Sequence, residues 1–364
     1  MRNILMTASV LALGATAAAA GGVERSAQSV AILFETGKYA EFSLGVVSPD
    51  VSGALGVPVG PFPVGSPSGD MLGPSVSLAF GYKQALNDKL DVAIILDQPI
   101  GAEISYPGTF GASPYPLAGT TADLNSTAVT GLVKYKFPSN VSVYGGLRME
   151  SVKGEVGIPF VSGYSLETNT DYELGYVVGV AWERPDIAAR VALTYNSAIT
   201  HTLESTETIG GGTFTGSFET EVPQSVNLEF QTGIAADTLL FGSIRWVDWS
   251  EFQIDPPIYP LSSPLVSYQS DRITYNLGIG RRFNENWSGA VTLGYEPSND
   301  DITGNLGPTD GYKSIGLAAT YTQDKMEITA GIRYFEIGDA TTTLGAGFTD
   351  NHAIGAGVKI AYTF

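Results

Sequence analysis

The chain has 364 residues, no cysteine and a net charge of −18, from 19 Lys and Arg against 37 Asp and Glu. Its 43% hydrophobic content excludes a disordered chain of this charge, and its acidity excludes a nucleic-acid binder, because neutralising phosphates requires Lys and Arg. The lack of cysteine excludes disulfide scaffolds, thiolate metal sites and cysteine nucleophiles. Only 15% of the residues are charged, against about 25% in an ordinary soluble domain, and 44 are glycine. This composition is typical of a large β protein and fits one that lies in a membrane.

Residues 1–20 have the features of a secretory signal peptide. Arg2 supplies the positive charge, Ile4 to Ala15 form a short apolar stretch, and Ala18 to Ala20 precede the expected cleavage before Gly21. An N-terminal membrane anchor is the alternative, but the apolar stretch is short and ends in alanines. No later segment approaches the ~20 consecutive apolar residues that a transmembrane helix needs. We therefore expect an exported protein that is periplasmic, secreted or a membrane β-barrel.

Strand-like alternation begins at Tyr39 to Val47 and continues to the C-terminus. In residues 352–364, large apolar side chains share one parity, and small or polar residues share the other. Because successive side chains of a strand point to opposite faces, such a strand has one apolar and one polar face. A soluble sandwich alternates similarly, but its segments are more uneven than these, which run to about ten residues or more, as a membrane span requires. The same pattern recurs at residues 76–83, 172–180, 226–231, 272–282 and 287–296.

Short turns and long loops alternate between these segments, as they do at the periplasmic and extracellular ends of a membrane barrel. The short turns lie at 87–88, 138–140, 184–186, 236–237, 284–286 and 323–324, and the long loops at 48–70, 103–123, 154–170, 201–222, 255–270, 297–311 and 337–351. Six turns join twelve strands, and one strand at each end of the series brings the count to fourteen. We predict an all-β fold: a 14-stranded antiparallel transmembrane β-barrel of residues 39–364 in the bacterial outer membrane. Residues 21–38 precede it and are long enough to plug its lumen.

Several short segments together carry a family resemblance. Phe42 to Gly53 forms a first strand with its loop, and Val222 to Ser225 with Trp246 to Phe252 forms a strand pair that leads to a W-S-x-F segment. Further segments are Asp271 to Gly280, Asn286-Trp287, Gly294-Tyr295 and Tyr362 to Phe364. These resemble the FadL/TodX family of outer-membrane transporters of long-chain fatty acids and hydrocarbons. The resemblance implies a fourteen-strand barrel with an N-terminal hatch inside it, in agreement with the count made from the turns.

The implied hatch falls on residues 21–38. The family's usual Asn-Pro-Ala segment is absent, and Ile32 to Gly37 stand in that region. We expect Ile32, Leu33 and Phe34 to help close the lumen and to line its substrate pocket. A loose periplasmic arm is the alternative, but a solvated arm has little reason to carry neighbouring apolar residues.

The resemblance also implies that substrate leaves sideways through a kink in the third strand. Here that strand reads Leu90 to Ile100. Proline cannot donate to a strand ladder, and glycine tolerates a bulge. We predict Pro99, Ile100 and Gly101 as a lateral portal; the alternative is that the strand simply ends before the next loop.

A fatty-acid carboxylate in an apolar pocket needs a cation or several donors, because burying an unpaired charge is costly. Arg148 and Tyr144 share the inward parity of one strand, and Arg272 has inward parity in another. Lys153 lies close to where the family places a basic substrate contact. We predict these four residues as substrate contacts. The alternative is that the cations pair with lumen carboxylates such as Glu150.

Two loops carry apolar side chains that predict a surface groove at the entrance. They are Phe110 and Tyr115 in loop 103–123, and Phe160 and Tyr164 in loop 154–170. Ordinary packing of one loop on another is the alternative.

Catalytic and metal sites have little support in the sequence. Ser197 lies near His201, but nothing in the sequence identifies a group that orients the imidazole. The acidic residues at 299–301 are interpreted as solvated loop charge rather than ion ligands. We expect no enzyme activity, no cofactor and no bound metal.

These observations predict a passive importer of hydrophobic molecules, with long-chain fatty acids first among them. Capture would occur in an apolar lumen pocket, and exit at the strand-three kink. We expect a monomer surrounded by outer-membrane lipids and lipopolysaccharide, with Phe364 as a signal for the barrel-assembly machinery. The alternatives are a general diffusion porin, in which residues 21–38 leave the lumen open, and a structural or adhesive barrel whose loops bind partners.

Overall fold

The computed structural model describes residues 23–364, so the predicted signal peptide lies outside the described residues. Within them, fourteen antiparallel strands pair in sequence, and the last pairs with the first, which closes a barrel. The prediction of a 14-stranded antiparallel β-barrel is confirmed. The strands are β1 (Lys38–Asp50), β2 (Ser75–Ala85), β3 (Leu90–Asp97, resuming as Gly101–Ser105), β4 (Thr121–Lys136), β5 (Val141–Ile158), β6 (Tyr164–Thr168 and Asp171–Arg184), β7 (Ala189–Asn196 and Ile199–Ile209), β8 (Gly212–Val222 and Ser225–Ala235), β9 (Thr238–Val247), β10 (Arg272–Arg282), β11 (Trp287–Glu296), β12 (Tyr312–Gln323), β13 (Met326–Ile337) and β14 (His352–Thr363).

The alternation in the sequence decides which side chains face out of the barrel. Leu147 and Leu174 are 64% and 65% exposed on the outer surface, whereas their strand neighbours Arg148 and Gly175 are buried inside. An outward apolar band with a more polar interior is the arrangement that a lipid bilayer requires.

Helix is confined to single turns at Ala31–Phe34, Pro185–Ile187 and Trp249–Glu251 among the described residues. None of the helices in residues 23–364 has the length and hydrophobicity to cross a bilayer.

Six tight turns join the strand pairs at the end of the barrel where β1 begins and β14 ends, as the turn spacing predicts. Two of the predicted long loops are wrong. Residues 154–170 and 201–222 continue the flanking strands as β-hairpins, with reversals at 159–163 and at Gly210-Gly211. These segments are rich in threonine and glycine, which suggested loops, yet their period-two alternation persists: His201, Leu203, Ser205 and Glu207 are all buried on one face of β7.

The remaining loops fold over the outer end of the barrel and build an apolar core there. Gly53–Leu55, Ile302–Thr303, Ala340–Thr342 and Ala346–Phe348 form a small four-stranded sheet in this region. Side chains from the loops pack against inward residues at the outer ends of the strands. Members of this core include Leu55, Met71, Tyr106, Phe252 and Phe348 from the loops, and Val47, Val152, Ile199, Val247 and Phe335 from the strands.

Candidate functional site

Residues 23–37, here called the N-terminal segment, run inside the barrel. On one wall the segment pairs with β3 at its interruption. The Gly101 N–H donates to the Val23 carbonyl at 2.7 Å, and the Arg25 N–H donates to the Pro99 carbonyl at 2.8 Å. The backbone of the segment therefore takes the place of a neighbouring strand at the point where β3 leaves its ladder.

The same segment is held on the far wall by β8 and β9. Arg245 donates to Glu24 Oε1 at 2.7 Å, and Asn227 Nδ2 donates to the Ala27 carbonyl at 2.9 Å. Ser29 donates to an inward carboxylate of β8 at 2.6 Å. Because β3 and β9 lie on nearly opposite sides of a fourteen-strand barrel, these bonds stretch the segment across the lumen.

The apolar part of the segment packs lower in the barrel. Ile32 and Leu33 are 4% and 0% exposed, and the ring of Phe34 meets that of Tyr144 edge-on at 6.0 Å. The Tyr144 hydroxyl is hydrogen-bonded to Thr194 Oγ1 at 2.8 Å. Of the four residues predicted to contact substrate in this region, Ile32 lines the cavity described below, whereas Leu33, Phe34 and Tyr144 pack the segment onto the wall.

The barrel wall is interrupted between β2 and β3. Their ladder runs from Ala85 opposite Asp91 to Phe80 opposite Leu96, and ends there. After residues 98–100, β3 resumes as Gly101–Ser105 and pairs with β4. Residues 75–79 of β2 have no ladder partner in β3, and one side-chain bond, from the Leu78 N–H to Gln98 Oε1 at 3.0 Å, crosses the opening.

The opening, here called the lateral gap, coincides with the predicted kink. Pro99 occupies the break, Ile100 is anchored to β4 through Ser126 Oγ at 2.7–2.8 Å, and Gly101 begins the resumed strand. Above it, the Gly73 N–H of the first loop donates to the Glu103 carbonyl at 3.3 Å. The gap is thus bounded by ordered chain on every side.

A cavity of about 150 Å³ lies behind the lateral gap. The N-terminal segment, the inward face of β1 and the two edges of the gap form its walls. Leu44 and Leu78 belong to the outward faces of β1 and β2 and yet contribute to the lining, so the cavity opens through the gap toward the bilayer. Charged and polar lining residues include Arg25, Ser26, Glu41, Asp97 and Gln98.

The structure does not bring the three predicted cations together at this cavity. Arg148 is 4% exposed and donates to Thr130 Oγ1 at 3.0 Å. Arg272 forms a buried ion pair of 2.5 Å with Asp310, a residue of the loop between β11 and β12. Both side chains therefore hold structural contacts of their own.

The placement of Lys153 as a lumen contact is wrong. Its ammonium lies 2.6 Å from Glu155, and its side chain is 40% exposed. Lys153 stands five positions after Arg148 on β5, an odd number, so one strand cannot aim both side chains at the lumen. Lys153 belongs to the outward face of the hairpin.

The structure places the four residues of the predicted surface groove in two different environments. Phe110 is 40% exposed and lies 5.9 Å from Phe160 and 6.5 Å from Phe62, so three loops share an aromatic cluster at the surface. Tyr115 and Tyr164 are instead 2% and 1% exposed and belong to the core.

Each buried tyrosine is held by a neighbour inside that core. Tyr115 stacks on Tyr106 at 5.5 Å, and burial raises the pKa of Tyr115 to about 12. Tyr164 donates to Glu207 at 2.7 Å. An aromatic residue with a hydroxyl can be buried where a partner is close, which loop composition alone does not predict.

His201 has an orienting group that the sequence did not identify. Its Nδ1 lies 3.0 Å from Asp171 Oδ2. Ser197, however, uses its hydroxyl to accept the Tyr176 N–H at 2.9 Å. Among residues 23–364, no group of three or more His, Asp and Glu side chains is placed to hold a metal ion.

Sequence reasoning missed Arg245 and Asp97, which connect the N-terminal segment to the barrel. Arg245 contacts Glu24, Ser225, Asn227 and Gln28. Its inward parity on β9 was the available signal, because the outward positions Ile244 and Trp246 are its immediate neighbours.

Comparisons with known proteins agree with this geometry. A family model described as "Outer membrane protein transport protein (OMPP1/FadL/TodX)" matches residues 7–363. A Pseudomonas aeruginosa FadL homologue has a TM-score of 0.74 at 15% identity, with 91% of each chain covered. The Pseudomonas putida toluene transporter TodX gives 0.66 at 13%, over 95% of this chain and 96% of that one.

A third solved structure extends the likeness. The Ralstonia pickettii toluene transporter TbuX gives a TM-score of 0.63 at 13% identity, over 96% of this chain and 98% of that one. At these identities, the likeness to solved structures establishes the fold alone. The comparison with curated protein sequences found no match.

Proposed function

This chain belongs to the OMPP1/FadL/TodX family of outer membrane transport proteins, and from this premise we propose that it is a passive importer of long-chain fatty acids and similar molecules. The coarser function follows from the family itself: the chain is a transporter of hydrophobic compounds in the bacterial outer membrane and not an enzyme. The proposal concerns the substrate and its route.

The route runs from the loops to the lateral gap. A molecule captured at the aromatic cluster of Phe62, Phe110 and Phe160 passes the apolar core, reaches the cavity behind the gap and leaves sideways into the bilayer. The cavity that opens between β2 and β3 is the observation that carries this proposal.

Energetics favour sideways exit over release into the periplasm. Each CH₂ group moved from an apolar environment into water costs about 0.8 kcal/mol, so a chain of about sixteen carbons would face a cost above about 10 kcal/mol. A gap at bilayer depth avoids this cost, because the tail exchanges protein contacts for lipid contacts. Pro99, Ile100 and Gly101 are proposed as the portal because they form the interrupted edge.

The N-terminal segment acts as a hatch in this proposal. Its bonds to β3 on one wall and to β8 and β9 on the other support a closed axial path. A general diffusion porin needs an open lumen, so these contacts favour the importer. A structural or adhesive barrel needs neither the cavity nor the gap.

We further propose that the barrel works as a monomer. Each barrel encloses its own cavity and its own gap, and outer-membrane lipids and lipopolysaccharide contact its outward apolar face. Phe364 ends the closing strand pair and is proposed as the signal for the barrel-assembly machinery.

Uptake of labelled oleate by cells that carry or lack the gene tests the importer. We expect saturable uptake that requires the gene. Equal uptake by both strains would overturn the proposal.

Ion conductance in planar bilayers tests the porin alternative. We expect small currents from the full chain and larger, steadier currents after deletion of residues 23–37. Large steady currents from the full chain would favour the porin instead.

A further inference from the structure

One arginine on the outer surface of the barrel has no partner in the protein. Arg281 lies on β10 in the same outward row of side chains as Leu277 and Ile279, and it is exposed. Among residues 23–364, no carboxylate lies within ion-pair distance of its guanidinium, and no hydrogen bond or ring contact holds its side chain. The N–H donors of this guanidinium therefore point to the surroundings of the barrel.

Other outward cations show the contrast. Arg184 of β6 pairs with Asp186 at 3.1 Å, and Lys313 of β12 pairs with Glu336 at 3.8 Å. Each of these charges is compensated within the chain. Arg281 is a cation whose compensation has to come from outside the protein.

Arg281 also lies on the bilayer side of an aromatic girdle. Phe283 follows it toward the periplasmic turn, about 7 Å further along the chain at strand spacing. Trp287 lies across that turn, with its ring 5.0 Å from the ring of Tyr321. Aromatic residues of this kind mark the membrane–water interface of a barrel. A charge that faces lipid on the bilayer side of this interface costs free energy, and an anion beside it offsets that cost.

The outer surface beside Arg281 is concave. A depression of about 780 Å³, here called the lipid-facing groove, crosses β10 to β13. Its floor follows one row of direct partners on the four successive strands, namely Arg281, Gly289, Ala319 and Ala330.

Larger side chains form the two walls of the lipid-facing groove. The wall nearer the outer end of the barrel is the next row of partners, namely Ile279, Val291, Leu317 and Ile332. On the periplasmic side, the ring of Phe283 would stand 2.9 Å from a Cβ placed on Gly289, so this ring borders the floor. Small residues between two rows of large ones leave a trough that fits an extended hydrocarbon chain.

The inclination of the groove sets the orientation of a molecule inside it. Arg281 is one residue from the periplasmic end of β10, whereas Ala330 is four residues from that end of β13. Over three strand spacings, about 14 Å in all, the floor therefore rises from the membrane interface into the hydrocarbon. A phospholipid of the periplasmic leaflet has this orientation, with its charged head at the interface and its tails above.

We propose that the lipid-facing groove binds an anionic phospholipid of the periplasmic leaflet, with the phosphate on Arg281 and one acyl chain along Gly289, Ala319 and Ala330. A guanidinium suits this role, because it can donate two parallel N–H bonds to phosphate oxygens. A second copy of the barrel is a poorer occupant, since a two-fold contact brings a second unpaired arginine to the same patch. The site lies outside the barrel and does not depend on the proposed import route.

Two phospholipids with the same acyl chains separate charge recognition from apolar binding. The full chain, purified in a nonionic detergent, is titrated with phosphatidylglycerol and with phosphatidylethanolamine, and native mass spectrometry gives the apparent Kd of the first bound lipid. We expect phosphatidylglycerol to bind more tightly. Arg281→Gln should weaken its binding by about 10- to 100-fold, the size of a lost charge-assisted hydrogen bond, and Arg281→Lys should retain part of the affinity.

Two further variants test the groove and the specificity of the charge. Ala330→Leu places a branched side chain on the floor of the groove and keeps Arg281, so it should weaken the binding of both lipids. Arg184→Gln removes another outward arginine at the same end of the barrel and should leave both affinities unchanged. All three positions face out of the barrel, so the circular dichroism spectrum of each variant should match that of the wild type.

The possible results are distinct. Unchanged phosphatidylglycerol affinity in Arg281→Gln overturns the inference, and so does an equal loss in Arg184→Gln, which would indicate a diffuse effect of charge. Unchanged affinity in Ala330→Leu overturns it too, because the lipid would then lie outside the groove. A wild-type chain that forms dimers and retains no phospholipid would assign the groove to a second copy. Failure of the proposed import function would appear in oleate uptake and not in these lipid affinities.

Discussion

The Ser26 hydroxyl donates a 2.5 Å hydrogen bond to Oδ2 of Asp97, the last residue of β3 before the strand breaks. Asp97 is 6% exposed, and its other carboxylate oxygen is buried without a partner. The Ser26 hydroxyl of the N-terminal segment is therefore the donor to one oxygen of this buried acid at the edge of the lateral gap. The hatch and the proposed portal are joined through this contact.

Ser26→Ala is expected to loosen the N-terminal segment at the gap. Leaving a buried acceptor without its donor costs about 1–3 kcal/mol, and here the cost falls on the docked state of the segment. Hydrogen exchange of residues 23–30 should become faster, and ion conductance should rise. Ser77→Ala is the matched control, because Ser77 lines the same cavity without a hydrogen bond to the segment. Unchanged exchange in Ser26→Ala would contradict the role assigned to this contact.

Arg245→Gln is expected to destabilise the chain strongly. Arg245 and Glu24 are 7% and 15% exposed, and breaking a buried pair on one side costs about 3–5 kcal/mol. The double variant with Glu24→Gln should recover most of this loss, because no uncompensated charge remains. Urea unfolding of the barrel in lipid vesicles measures each change.

An exposed ion pair supplies the control for this cycle. Arg282 and Asp237 are 28% and 43% exposed at a tight turn, so Arg282→Gln should cost less than about 1 kcal/mol. Equal losses of unfolding free energy in Arg282→Gln and Arg245→Gln would show that the buried pair with Glu24 stabilises the barrel no more than the exposed pair does.

A disulfide across the lateral gap is expected to stop sideways exit. The chain has no cysteine, so an engineered pair of cysteines cannot form a disulfide with any native residue of the chain. Leu78→Cys with Gln98→Cys joins the two edges at the point where one hydrogen bond now crosses. Oxidation should lower oleate uptake, and reduction should restore it.

The control pair is Phe80→Cys with Leu96→Cys, which are direct partners on the same two strands where the ladder is intact. Its oxidation should leave uptake unchanged. Uptake that persists in the oxidised gap pair would point to an axial route.

The fold was predictable because the two faces of each strand in a membrane barrel differ in polarity, and this difference appears in the sequence as alternation. Each strand alternates between lipid and lumen, and tight turns mark one end, so strand number and orientation follow from local signals. Loop boundaries were less accessible: β7 and β8 extend beyond the expected rim, because threonine is common both in loops and in strands.

The site was predictable only at the β3 break. Proline and glycine carry a backbone signal that is local to Pro99 and Gly101, and the gap lies there. Partners of lumen cations are not local. Arg272 meets Asp310 from 38 residues further along, and Arg245 meets Glu24 from 221 residues before it, and parity cannot predict either pairing.

The ion pair of Arg272 with Asp310 is expected to give the outer loops a dependence on acid pH. Burial raises the pKa of Asp310, but donors from Ser298, the Asn299 N–H and Arg272 outweigh it and hold the pKa below its usual value. A depressed pKa contributes stability that is complete above about pH 4 and is lost as the pH falls through the folded-state value.

Asp310→Asn should therefore lower stability by about 3–5 kcal/mol near neutral pH, because Arg272 loses its buried partner. The difference from wild type, compared between neutral pH and about pH 2, should shrink as the pH falls through the folded-state pKa, where the wild-type carboxylate takes up a proton as well. Asp300→Asn is the control: Asp300 is exposed in the same loop, and asparagine tolerates its φ of 58°. Urea unfolding at the two pH values measures both variants, and a difference that stays constant between them would assign the stabilisation to packing rather than to the charge of Asp310.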